Sequence, residues 1–125
     1  MDRRMFMVAS TAALGAATLP LPALAATGAP LLAPWTGPYG GVPAFDKVQV
    51  AEFAPALEAA MAEELREVAA IADNRAAPTF DNTIAALERS GQALDRVTTY
   101  YGIWGGTLST PEMRAVETAM APKLA

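Results

Sequence analysis

The sequence has 125 residues, of which 53% are hydrophobic and 18% charged, and 13 acids against 9 bases give a net charge of −4. That length holds one small domain at most. The apolar content excludes a disordered tail, and an acidic balance without a Lys/Arg cluster excludes a binder of nucleic-acid backbones. Cysteine and histidine are both absent. Their absence removes disulfides, thiolate metal sites, the commonest general base and the commonest zinc ligand.

Residues 1–25 read as an export signal. Arg3 and Arg4 supply a positive start, residues 5–21 are apolar and uncharged, and Ala23-Leu24-Ala25 is a small-x-small site that places cleavage between Ala25 and Ala26. The apolar run is alanine-rich and broken by Ser10, Thr11, Gly15 and Pro20, which makes it a poor permanent membrane span. Arg3-Arg4-Met5-Phe6-Met7 resembles the twin-arginine export motif, with Arg3, Arg4 and Phe6 at its defining positions. Val8 and Asp2 depart from that motif, so the general secretory route stays open. Either route implies an exported, periplasmic or secreted protein.

Residues 26–54 form a linker and strap. A short apolar connector leads into P-W-T-G-P-Y-G-G-V-P at 34–43, which the prolines and the Gly40-Gly41 pair keep out of a helix. An extended course with turns is expected, in which Trp35, Tyr39 and Phe45 need a surface to lie on.

From residue 55 onward the chain reads as about three helices, an all-α fold. The first runs from Phe53 or Pro55 to Asp73, with Leu57, Met61, Leu65, Val68 and Ile71 on one face. Glu63 and Glu67 lie off that face and read as solvated. Glu64 falls within the stripe, where a lone carboxylate needs an arginine partner or a wet groove. Thr79 is a candidate cap for the second helix. Phe80, Leu87, Leu94, Tyr101 and Leu108 recur every seven residues, the pattern of one long helix packed at a shallow angle. Gly91, Thr98 and Gly105 form a parallel line of small residues, and Gly105-Gly106 is a candidate end. Tyr100, Tyr101 and Trp104 cluster late in this helix, either packing or facing a channel. Thr110-Pro111-Glu112 opens the third helix. Met113, Val116, Met120 and Leu124 line one side, and Pro122 is expected to kink or end it.

Four segments carry a family resemblance: V-P-A-F-D-K-V (42–48), F-A-P-A-L-E-A-A-M (53–61), P-T-F-D-N-T-I-A-A-L-E (78–88), and the S-T-P-E and A-P-K-L elements within 109–124. Together they resemble the amino-terminal region of bacterial peptidyl-dipeptidases of the thimet oligopeptidase family of zinc metallopeptidases. The resemblance implies an α-helical enzyme with a deep channel between two halves. It implies zinc on an H-E-x-x-H helix, and oligopeptide substrates that lose dipeptides from the carboxyl end. In that setting the present region helps roof the channel. No position here matches a zinc ligand or the catalytic glutamate, so the sequence carries no catalytic, cofactor or metal residue over. Glu64, Tyr100, Tyr101 and Trp104 either pack or touch the channel. The expectation is an amino-terminal piece whose catalytic region lies elsewhere. The endo-acting branch of the family is a near variant, and the export signal favours the peptidyl-dipeptidase branch. A freestanding periplasmic helical binding or adaptor module without catalysis is the alternative from another class, and a degenerate, inactive remnant is a third.

Overall fold

A computed structural model describes residues 29–125, and within them the chain is all-α. The export motif at Arg3, Arg4 and Phe6 and the cleavage site at Ala25 and Ala26 lie outside the described residues. The elements are α1 (Ala29–Leu32), α2 (Phe53–Ala72), α3 (Ala85–Arg89, entered through a π turn at Phe80–Ile84), α4 (Gln92–Thr107) and α5 (Pro111–Leu124).

The apolar connector thus forms a helical turn of its own, and its Leu31 is fully buried. Arg96 of α4 holds this turn by donating from Nη2 to the Leu32 carbonyl at 3.1 Å. The segment that follows is wound rather than extended. It contains 3₁₀ turns at Pro38–Gly40, Phe45–Lys47 and Val50–Glu52, and an isolated antiparallel bridge joins Thr36 to Val42. Gly41 sits at φ +120°, where a Cβ would stand 2.6 Å from Trp35 Cβ and 2.8 Å from the Trp35 carbonyl carbon. No side chain fits that approach.

Helix α2 begins and ends where the sequence places it. Its buried face is Phe53, Ala56, Leu57 and Ala60. Farther along, the packed residues are the half-buried Glu64, Glu67 and Ile71, while Leu65 is 71% exposed and Val68 is 39% exposed. The helix is therefore rotated from the stripe read in sequence, because in its second half it meets a short alanine-bearing helix rather than a long leucine-bearing one.

The single long second helix does not form. Thr79 caps the π turn as expected: its Oγ1 accepts from the Asn82 amide at 3.1 Å, and Asn82 Oδ1 accepts from the Thr79 amide at 2.7 Å. The chain then breaks at Ser90-Gly91. Ser90 donates from both its amide and its hydroxyl to the Leu87 carbonyl. Gly91 takes φ +74°, a left-handed conformation that ends one helix before the next begins. The seven-residue line is split as a result: Phe80, Leu87 and Leu108 are exposed, and only Leu94 and Tyr101 pack on the core. Gly105-Gly106 does not stop α4, which continues to Thr107.

Helix α5 follows its sequence signals. Thr110 Oγ1 accepts from the Met113 amide at 3.2 Å, Pro111 occupies the first turn, and Met113 and Met120 are buried. Its own backbone amide and the Thr110 hydroxyl hold the Glu112 carboxyl below the usual carboxylate range. Pro122 lies inside the helix, which runs on to Leu124. Lys123 pairs with Glu58 across the α2–α5 seam, and the exposure of both groups makes this a minor stabilising term.

Candidate functional site

The structure concentrates its aromatic residues at one place, where the strap crosses α4. Tyr100 is the centre. It is 1% exposed, the largest of the fully buried side chains. Its ring meets Trp35 edge-on at a centroid distance of 6.0 Å and Phe45 at 5.1 Å. Its hydroxyl oxygen accepts the Ala44 N–H at 2.6 Å. One side chain thus supplies both the surface on which the strap's aromatics lie and the polar tie that fixes the strap's height.

One turn farther on, Trp104 lies half-buried between Phe53 at 5.7 Å and Phe45 at 6.4 Å. Tyr101 meets Phe53 at 5.9 Å. Burial pushes the Tyr101 phenol above its ordinary value of 10.0, and the Glu117 carboxylate acts in the same direction. Of the three strap aromatics expected to need a surface, Trp35 and Phe45 therefore pack against this chain's own α4. Tyr39 alone stands fully exposed, at φ +60°. Trp35 Nε1 and Arg96 Nε are buried without a hydrogen-bond partner, so the strap's seat is apolar contact at the expense of two donors.

The acidic residues arrange themselves differently from their pattern. Glu64 is half-buried as its place in the stripe predicts, but it has no arginine partner. Its carboxylate lies against Gly91, within 3.0 Å of where a Cβ would be. Glu67, which reads as solvated, is the engaged acid: its Oε2 accepts the Gly91 N–H at 2.8 Å. The sequence signal for this was available only in combination. A glycine that interrupts a helical run exposes a free amide, and a carboxylate on the facing helix is its natural acceptor.

The four residues singled out in sequence are thus brought into two groups. Tyr100, Tyr101 and Trp104 share the aromatic collar, while Glu64 sits apart at the α2–α4 seam. Neither group holds a nucleophile–base pair. The cleft beside Trp35 and Tyr100 encloses about 230 Å³ and is lined mostly by proline, alanine and the aromatics, with Lys47 as its charged member. The arrangement positions chain segments, with Tyr100 tying the strap to α4.

The chain is 35% identical over 96 residues to the dipeptidyl carboxypeptidase of Escherichia coli (strain K12). It is 33% identical over 96 residues to that of Salmonella typhimurium (strain LT2). The chain is similar to part of a dipeptidyl carboxypeptidase. Each match takes in 77% of this chain and 14% of the relative, so the chain spans about a seventh of the length of the curated relatives it matches. No family model matches it. The likeness agrees with the peptidase reading of the sequence motifs.

Among the described residues, no group of three or more His, Cys, Asp or Glu side chains is placed to hold a metal ion. With no histidine in the sequence, the residues here do not fit a catalytic zinc. Among the described residues, no helix is long and apolar enough to cross a membrane.

Proposed function

We propose that this chain forms part of an exported zinc peptidase of the thimet oligopeptidase family, one that removes dipeptides from the carboxyl end of oligopeptides. The observation that carries the reading is the 96-residue likeness to two dipeptidyl carboxypeptidases. The export signal read at residues 1–25 supports a periplasmic or secreted setting. In this reading the region is framework: α2, α4 and α5 with the strap form a helical wall over the peptide channel, and the aromatic collar fixes that wall's shape. Hydrolysis belongs to residues outside this chain, and no chemical step is assigned to any residue within it.

The test is to follow the reading frame beyond codon 125 and to assay its product. An open frame that reaches an H-E-x-x-H motif, and a product that releases dipeptides from a blocked tetrapeptide until a chelator is added, are expected. A stop codon at that point, or a full-length product that releases no dipeptide, overturns the reading. The 125-residue chain by itself is expected to show no chelator-sensitive hydrolysis.

A further inference from the structure

We propose that α1 is a latch: it leaves α4 while the export signal is cut off and closes on it afterwards, so that docking of α1 and cleavage between Ala25 and Ala26 exclude each other. This rests on the export signal of the reading just given. Chain reach sets the conflict. Only residues 26–28 separate the cleavage site from α1 at Ala29–Leu32. Three residues span at most about 10 Å when fully extended. Leu31 is fully buried, and α1 packs on α2 and α4, so the folded body stands within that distance of the bond to be cut. A protease needs its substrate locally unfolded around that bond, and a docked α1 denies it the room.

The fastenings of α1 suit a part that opens. It is four residues long, too short to hold a helical form by itself. Leu31 is its one fully buried side chain, and Leu32 packs only partly. One hydrogen bond ties the turn, from Arg96 Nη2 to the Leu32 carbonyl at 3.1 Å. Arg96 Nε is buried with no partner, so the guanidinium gives less here than its fork allows.

The next anchor along the chain is of another kind. Trp35 meets the Tyr100 ring at a centroid distance of 6.0 Å, and Thr36 pairs with Val42. Release of α1 therefore stops at Pro34. It lengthens the free chain from residues 26–28 to residues 26–34, and nine residues reach about 30 Å. That is about the diameter of a small domain, enough to carry the cleavage site clear of the body. Cutting through such an opening follows the population of the open form when closing outpaces cleavage. A weaker latch should thus speed signal removal from the folded precursor without moving the site.

The test is timed cleavage of the folded, uncut 125-residue chain by a purified signal peptidase in detergent, with the amino terminus of the product sequenced. Leu31→Ala removes the buried side chain of the latch, and Arg96→Met removes its bond. A third variant inserts Gly-Ser-Gly-Ser-Gly-Ser between Gly28 and Ala29 and leaves the latch intact. Leu31→Ala is expected to be cut about tenfold faster or more, Arg96→Met faster by a smaller factor, and the spacer variant fast as well, all after Ala25. Circular dichroism checks that each variant is folded; should Leu31→Ala fail to fold, Arg96→Met and the spacer variant decide in the same way. Equal rates for the parent and every folded variant overturn the latch and leave the export reading intact. A fast spacer variant beside unchanged latch variants shows a steric limit without opening, and overturns it too. No cleavage after Ala25 in any variant, the spacer included, overturns the export reading as well.

Discussion

Replacing Tyr100 by phenylalanine isolates what a single oxygen does for the strap. The ring is fully buried between Trp35 and Phe45, so the substitution leaves no cavity and keeps both edge-on contacts. What it removes is the acceptor for the Ala44 N–H, held at 2.6 Å. A part-buried amide left unpaired costs about 1–3 kcal/mol, more than the net worth of an ordinary hydrogen bond. For a domain near 100 residues, at about 4–8 °C per kcal/mol, that loss is a fall in Tm of roughly 4–24 °C. Tyr100→Ala also empties the ring's volume and should cost about 3–5 kcal/mol. Thermal melts followed by circular dichroism give the stability of each variant. Hydrogen exchange at the Ala44 amide gives the local effect, with faster exchange in the phenylalanine variant. If Tyr100→Phe melts with the parent and the Ala44 amide exchanges no faster, the strap is held by the rings alone and the argument for a polar tie fails.

Two glycine substitutions should compare backbone strain alone, at Gly91, with strain joined to steric blockage, at Gly41. Gly41→Ala drives a Cβ into the Trp35 backbone, which has nowhere to move, and is expected to cost more than about 2 kcal/mol in denaturant titrations. Gly91→Ala meets only the mobile end of Glu64, so its cost is the left-handed φ itself, about 1–2 kcal/mol. Equal losses at the two sites would contradict this account. At high pH the raised Tyr101 phenol predicts a loss of stability. The folded state keeps the phenol protonated more strongly than the unfolded chain does. Its contribution is therefore complete below the ordinary value of 10.0, and is lost as pH rises through the folded value. Tyr101→Phe should flatten that alkaline fall, and an identical pH profile in the variant would refute it.

The helix starts were legible because they depend on local chemistry. Thr79 and Thr110-Pro111 cap helices wherever they stand, and both do so here. The break at Gly91 was not legible from periodicity, because a seven-residue line runs on through a turn without changing its count. What ends the helix is the left-handed turn at Gly91, whose amide is then satisfied by Glu67 on another helix, a contact between distant parts of the sequence. The rotation of α2 was hidden for a related reason. An apolar stripe tells which face prefers burial, and the neighbour decides which face receives it. Here Ala70, Ile71 and Ala86 line a shared cleft between α2 and α3, and Leu65 and Val68 stay outside. The aromatic cluster was visible as a cluster. Its role as a collar for the strap emerged only when Tyr100 was seen to reach Ala44, 56 residues away in sequence.

The α2–α3 contact has one more consequence. Ala70, Ile71 and Ala86 line one open cleft between the two helices, so small side chains rather than interlocking large ones stand where α2 and α3 face each other. Alignment is left to the fastenings at the two ends, the Thr79–Asn82 pair and the Glu67–Gly91 bond. Changes among the alanines should be felt mainly as changes in helix spacing. Loss of a fastening should instead let the whole short helix slide along its axis without losing a turn. Water competes for such fastenings more readily than for a packed interior. The first response of this fold to heat or denaturant should thus be a helix out of register, still fully wound.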